Sequence, residues 1–460
     1  MASEHNNGGW KAVNNFLSRA MGWLPARVAL ATLAWLGFIN LHMARVNLSV
    51  IIVAMVKRNT SHTVHAQCHA ADNGTLDGAE DDIRRHLSDD ITYGDEEDAE
   101  FEWDVTTQGL VLGCFYYGYA MTQVVGGRLA EVYGTKWVFG VCVLAGGVGS
   151  ILSPPAARLH YGALIALRVV QGLIQGASWP SMHACVARWI PPLERPRFIG
   201  IVYFASTLST AVTLPLSGLV IDSYGWAAAF YVTGSLSLAW CLLWFSTMYN
   251  SPAEHPRISR KELAYIEGRL RSSGTSERQQ PDTIPWRDIV RSLPVYAIVV
   301  CDMGNSWGLT LFLTQLPTYM KNVLGFSIKA NGALSALPFL SRYTGAVGAS
   351  TLSDWLVQHH HLSLINTRRI FSILAMWVPA VVVIGVAYGG CQWEVTVALI
   401  CLALFFNGAI TTSVIVNSTD IAPNLSGTLF GISNTFASII SFIVPVVTGL
   451  ITNHQVGNIV

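Results

Sequence analysis

Two arginines set inside apolar runs carry the clearest chemistry in this chain. Arg45 lies in His42-Met-Ala-Arg-Val-Asn-Leu-Ser49, well within an apolar run over 26–56. At i, i+3, i+7 spacing, His42, Arg45 and Ser49 share one helical face. Arg168 opens Arg168-Val-Val-Gln-Gly-Leu-Ile-Gln-Gly176, where Arg168, Gln171 and Gln175 share a face. In the same stretch Gly172 and Gly176 form a small-xxx-small strip that lets helices approach closely. A charge at mid-membrane costs at least ~2.5–3.5 kcal/mol on insertion scales, so each one needs a reason to be there. Two guanidiniums facing one cavity make a bidentate trap for a carboxylate or phosphate. For Arg168 the competing reading is a helix-end snorkel beside Tyr161; the anion site is preferred for both arginines.

Other polar residues are less decisive. Asp302-Met-Gly-Asn305 puts an acid and an amide on one face of an apolar run. That acid is either a proton or sodium coupling site or the partner of an arginine. His183, one turn past Pro180, is a second coupling candidate, with a packing role as its rival. Asp420 precedes Ile-Ala-Pro423 and suits a loop cap. No Gly-x-Ser-x-Gly, P-loop or His-Glu-x-x-His motif occurs, so an enzyme is not expected, nor is any metal or cofactor beyond a coupling H⁺ or Na⁺.

These residues must be positioned by membrane helices. The chain is 52% hydrophobic and 12% charged, against roughly 25% charged in soluble domains. So much apolar surface cannot be hidden around soluble cores, but a bilayer accommodates it. The balanced charge, +0 overall, excludes nucleic-acid binding as an organising principle. A span needs about 20 apolar residues. Such runs are expected at 26–56, 107–132, 137–154, 160–187, 197–221, 226–248, 295–319, 330–353, 369–389, 393–416 and 427–452.

Lys and Arg in the short loops set the orientation. Lys11, Arg19, Arg27, Arg128, Lys136, Arg188, Arg195, Arg197, Arg368 and Arg369 all fall on one side, taken as cytosolic, together with the basic 249–294 linker. The opposite side receives the acidic 58–104 loop, with N-glycosylation acceptors at Asn73 and, closer to the membrane, Asn59. That loop reads as a solvated cap rather than a cation site. Most cysteines sit in apolar runs as small hydrophobes. Cys68 and Cys391 fall on the same, non-cytosolic side, where a disulfide is open to them but not favoured. The first 25 residues lack a signal-peptide core.

The layout expected is therefore a cytosolic tail (1–25), a six-helix bundle (26–248), a cytosolic linker (249–294), a second bundle (295–453) and a short tail (454–460). Six spans, a linker and a second bundle is the arrangement of the major facilitator superfamily. An internal echo supports it: Gly126-Gly-Arg-Leu-Ala-Glu-Val-Tyr-Gly-Thr-Lys136 after the second span matches Gly345-Ala-Val-Gly-Ala-Ser-Thr-Leu-Ser-Asp354 after the eighth. Glu131 and Asp354 are accordingly read as gating or structural groups.

The chain resembles the anion/cation symporter branch of that superfamily, which includes sialin, the vesicular glutamate transporters and the type I phosphate cotransporters. The matching strings are Arg45-Val-Asn-Leu-Ser-Val50, Gly118-Tyr-Ala-Met-Thr-Gln123, Trp189-Ile-Pro-Pro-Leu-Glu-Arg195, Leu316-Pro-Thr-Tyr-Met320, Asp420-Ile-Ala-Pro423 and Gly431-Ile-Ser-Asn-Thr-Phe-Ala437. The pattern is most like sialin's. The resemblance implies that Arg45 and Arg168 bind the substrate anion, with Asn305 and Gln175 beside it. Leu112 and Asn305 stand where vesicular glutamate transporters carry a histidine and an arginine, which argues against glutamate. Gln171 and Gln175 replace sialin-like glutamates, one of them implicated in proton coupling, so Asp302 or His183 would have to take that role.

The expected activity is secondary active transport of organic anions, of acidic-sugar or amino-acid type, by a monomer using H⁺ or Na⁺. Sodium-dependent phosphate cotransport is the alternative. From a different class, a transport-inactive regulatory form is the rival, because a twelfth helix is missing after Asn453-His-Gln-Val-Gly-Asn-Ile-Val460. Lysosomal, vesicular and plasma membranes all remain open as locations.

Overall fold

A computed structural model describes residues 25–56, 100–103, 105–272, 284–322, 328–388 and 393–457. Asn59, Asn73, Cys68 and Cys391 lie outside these residues, as does most of the acidic loop. Among the described residues the chain is helical, with a single isolated bridge between Val56 and Phe101.

The first half consists of α1 (Ala26–Met55), α2 (Val105–Tyr133), α3 (Thr135–Leu159), α4 (Tyr161–Gln175), α5 (Ser178–Trp189), α6 (Arg195–Val202), α7 (Ala205–Tyr224) and α8 (Trp226–Thr247). Two short helices follow, α9 (Arg260–Ser272) and α10 (Trp286–Arg291). The second half holds α11 (Leu293–Asn322), α12 (Ile328–Gln358), α13 (Leu364–Tyr388), α14 (Trp393–Asn407), α15 (Val414–Ile421) and α16 (Ser426–Gly457). Among the described residues, eight segments are long and apolar enough to cross a membrane by themselves. The remaining crossings, α2, α4–α5 and α12, are those in which Gly, Tyr, Gln and charged side chains dilute the apolar run.

Three expected continuous spans are broken. α4 ends and α5 begins around Gly176-Ala177, because Pro180 in the first turn of α5 has no N–H to give the Gly176 carbonyl. The fifth crossing breaks at Tyr203-Phe204. There the amides of Ser206 and Thr207 bond back to Tyr203 and Phe204 at 3.2 and 2.9 Å, a locally tightened turn. In the tenth, a 3₁₀ turn over Gly408–Thr412 separates α14 from α15. The hydroxyls of Thr411 and Thr412 return to the Gly408 and Ala409 carbonyls, satisfying acceptors that lipid could not. Elsewhere single glycines turn the chain: Gly134 (φ 91) joins α2 to α3 and Gly225 (φ 78) joins α7 to α8.

The core sorts by height in the membrane. One large cluster, at the end where the basic loops lie, joins both halves: Phe38, Trp189, Tyr203 and Trp244 from the first, Ala346, Phe371, Ile410 and Phe430 from the second. At the opposite end the described clusters belong to one half each. Leu48, Met55, Trp226 and Phe230 pack within the first half, and Leu316, Val397 and Ile400 within the second. The halves are thus welded at the basic end.

Candidate functional site

Arg45 sits on α1, half-buried, inside a cage of aromatic rings from α2. Its guanidinium lies 5.0, 4.4 and 4.7 Å from the ring centres of Phe115, Tyr116 and Tyr119. The hydroxyls of Tyr116 and Tyr119 are its hydrogen-bonding neighbours, while its Nε is buried without a partner. A desolvated cation over an aromatic face gains about 2 kcal/mol or more, against a desolvation cost of several kcal/mol for a buried ion. Arg168 on α4 is 3% exposed and donates to the Ala44 carbonyl at 3.3 Å and to Gln171 Oε1 at 3.5 Å. Its Nε, too, lacks a partner. The structure therefore brings the two arginines together, since Ala44 is the neighbour of Arg45. Among the described residues neither is paired with a carboxylate.

The glycine strip makes this possible. A Cβ on Gly172 would run into the Phe115 carbonyl, and one on Gly176 into Thr122 and the Tyr119 carbonyl. α4 is consequently pressed onto the stretch of α2 that supplies the rings. Gln171 donates to the Gly146 carbonyl of α3 at 3.4 Å, and Gln175 packs over the same glycine.

On the second half, Asn305 of α11 accepts from Asn407 Nδ2 at 3.0 Å. Asn407 in turn accepts from Arg342 Nε at 2.8 Å. Arg342, in the middle of α12, is a buried charge absent from the sequence-based expectation. The signal that could have found it is the one that found Arg45, a charge within an apolar run (Leu337-Pro-Phe-Leu-Ser-Arg342). Asp302, one turn before Asn305, is buried with Ser433 of α16 as its hydrogen-bonding neighbour.

The remaining expected residues gather at the basic end. Glu131 on α2 is 2% exposed and accepts from the Thr428 amide and hydroxyl on α16, with Arg128 at 3.5 Å. Gly127 and Gly427 meet backbone to backbone just above it. Asp354 on α12 faces α6, where Arg197 offers its backbone N–H and its charge. His183 is sealed between the halves. It stacks on Phe430 at 3.7 Å, and its ring nitrogens meet Trp179 and Ile415 carbonyls at 3.3 Å and the Tyr203 hydroxyl at 3.1 Å. Asp420 binds Arg368 at 2.9 Å and approaches Arg195 at 3.8 Å, so it anchors an ion-pair cluster rather than only capping a loop. Arg195, 1% exposed, also reaches the Thr419 carbonyl across the interface.

Residues 20–445 match the model of the Major Facilitator Superfamily. The chain belongs to that superfamily. Human sialin is 36% identical over 427 residues, covering 93% of this chain and 83% of sialin. Vesicular glutamate transporter 1 of Bos taurus is 33% identical over 435 residues, 94% of this chain and 72% of that protein. In fold, the chain superposes on a proton:xylose symporter, XylE, with TM-score 0.64 at 12% identity, over 93% of this chain and 89% of the other. It is an integral membrane transporter, not an enzyme.

Proposed function

We propose that this major facilitator carries small organic anions, of the acidic-sugar or amino-acid type, by alternating access, with H⁺ or Na⁺ as the coupling ion. One observation carries the reading: Arg45 and Arg168 lie side by side within the helices with unpartnered Nε groups and, among the described residues, no carboxylate paired to either. A buried guanidinium left without a counter-charge is costly. An anion whose oxygens replace the missing partner recovers that cost only while it is bound. The vesicular glutamate transporter, a relative, is named for an anion, and Leu112 and Asn305 turn this chain away from glutamate itself.

The positive-inside bias assigns the welded basic end to the cytosol. The described state then opens toward the lumenal or extracellular side, in a lysosomal, vesicular or plasma membrane. Glu131, Asp354 and Arg195 act as the cytosolic gate. Asp302 is the coupling acid, because His183 is enclosed by both halves and Gln171 and Gln175 cannot titrate.

Uptake into proteoliposomes of a panel of carboxylates and inorganic phosphate, with pH, sodium and voltage gradients imposed in turn, tests the reading. Anion uptake that Arg45→Lys and Arg168→Lys each abolish is expected. Uptake of phosphate alone shifts the substrate class. Ion-driven uptake unchanged by Asp302→Asn removes that residue from coupling.

A further inference from the structure

Arg342 is a charge that the transport cycle as derived above does not use. A rise of ~1.5 Å per residue puts it about 24 Å above the basic end of α12 and Arg45 about 28 Å above the basic end of α1, nearly one height. It is 6% exposed, and its partners are all neutral. Nε donates to Asn407 at 2.8 Å, Nη1 to Thr207 of the first half at 3.3 Å, and the guanidinium lies 4.5 Å from the Phe204 ring centre. Among the described residues no carboxylate pairs with it, and Nη2 makes no hydrogen bond yet is not one of the atoms sealed from solvent. His42, one turn before Arg45 on its face of α1, feels the charge of both Arg45 and Arg342. The arginines of the two halves therefore both lie near His42.

Resting on the anion-transport reading, we infer that Arg342 is a third substrate-binding arginine, supplied by the second half, and that the substrate carries two separated anionic groups. Guanidiniums keep their charge in proteins. Among the described residues no carboxylate is paired with Arg45, Arg168 or Arg342, so their positive charge is left for a bound anion to balance. A monoanion seated on Arg45 and Arg168 leaves Arg342 bare. A small dianion spans the halves, one anionic group on Arg45 and Arg168 and the other on Arg342 Nη2. The Asn305–Asn407 pair fixes the guanidinium through Nε and leaves that edge free. Rejection of singly charged molecules follows from the same geometry, because a molecule with one anionic end leaves a buried cation unpaired.

The test compares glutarate, a dianion, with gluconate, a monoanion, in proteoliposomes holding the full chain, with inorganic phosphate as a compact control. The wild type should have a KM for glutarate at least tenfold below that for gluconate. Arg342→Gln should raise the glutarate KM at least tenfold more than the gluconate KM. Should that variant fail to fold, Arg342→Lys, which keeps the charge and loses the fork, should still raise the glutarate KM selectively, by about threefold or more. Equal losses on both substrates, in KM or in kcat, would make Arg342 a bolt between the halves and overturn the inference. A wild type that prefers gluconate or phosphate overturns the two-ended substrate alone. A wild type that moves none of these anions overturns the transport reading on which the inference stands.

Discussion

Replacing Thr428 with Val tests the cytosolic gate at its most buried point. The Thr428 amide lies 2.8 Å from Glu131 Oε1, and its hydroxyl lies 3.0 and 2.9 Å from the two carboxylate oxygens. Valine keeps the shape and the amide and removes only the hydroxyl donor. A hydrogen bond to a charged acceptor contributes about 1.5–3 kcal/mol. Glu131 belongs to the first half and Thr428 to the second, so this bond exists only while the basic end is closed; once it opens, water satisfies both groups. The whole loss therefore falls on the closed state, and the ratio of closed to open should drop about 10- to 150-fold, at 1.4 kcal/mol per factor of ten. Ser350, fully buried where α12 crosses Gly200 of α6, offers a reporter. In a background with the native cysteines replaced, Ser350→Cys should react with a membrane-impermeant thiol reagent applied from the cytosolic side at least tenfold faster when Thr428→Val is added. A labelling rate that the added change leaves alone would show that Glu131 does not hold the gate, and the assignment of this end as the closed one would lose its main support.

Three further outcomes are expected. Arg45→Lys or Arg168→Lys should cut anion uptake at least tenfold with little change in thermal stability, since a lysine keeps the charge but not the planar fork; uptake within twofold of wild type would remove that arginine from the site. Gly172→Val should destabilise the protein by about 1–3 kcal/mol, because its side chain must displace the Phe115 carbonyl of α2; an unchanged melting temperature in detergent would contradict the close helix contact. Gln171→Glu places a carboxylate where Gln171 Oε1 now sits, 3.5 Å from Arg168 Nη1, and should raise the substrate KM about tenfold or more as an internal competitor. That effect requires the ionised acid, so it should fade as pH falls and return as pH rises; a pH-independent KM would show that Gln171 does not border the anion site.

Much of the architecture could be read from apolar run lengths and the placement of Lys and Arg. Arg45 and Arg168 stood out because each interrupts such a run. Arg342 does the same, but α12 mixes Gly, Ser and Thr with its apolar residues, which flattens the contrast that marks a buried charge. The aromatic cage around Arg45 depends on where α2 is held against α4, set by the close contacts at Gly118, Gly172 and Gly176 in three dimensions. Glu131 could be singled out from its loop motif, but its partner Thr428 could not, because the two lie in different halves. The break at Gly176-Ala177 has a local cause in Pro180. The break at Tyr203-Phe204 has none in the chain itself; there Tyr203 packs edge-on or tilted against Phe38, Trp179 and His183, and packing overrides helix propensity.

α16 gives these separate observations a mechanical connection. Thr428 binds Glu131, and one to two turns on, Ser433 neighbours Asp302. The next residue, Asn434, donates to Gln123 Oε1 of α2 and neighbours the hydroxyl of Tyr119, a wall of the Arg45 cage. Glu131, Asp302 and the Arg45 cage thus all meet one stretch of one helix. A change of charge on Asp302 that moves Ser433 must also move Thr428 and Asn434, because a helix segment this short behaves as a rigid body. With glutamine at 171 and 175 the proposed anion site has no acid of its own among the described residues, and this stretch of α16 connects Asp302 to both Tyr119 of the Arg45 cage and Glu131. The coupling proposed for Asp302 therefore makes a joint demand. Asp302→Asn must alter gate accessibility at Ser350→Cys as well as ion-driven uptake, and an effect on uptake alone would separate the acid from the gate.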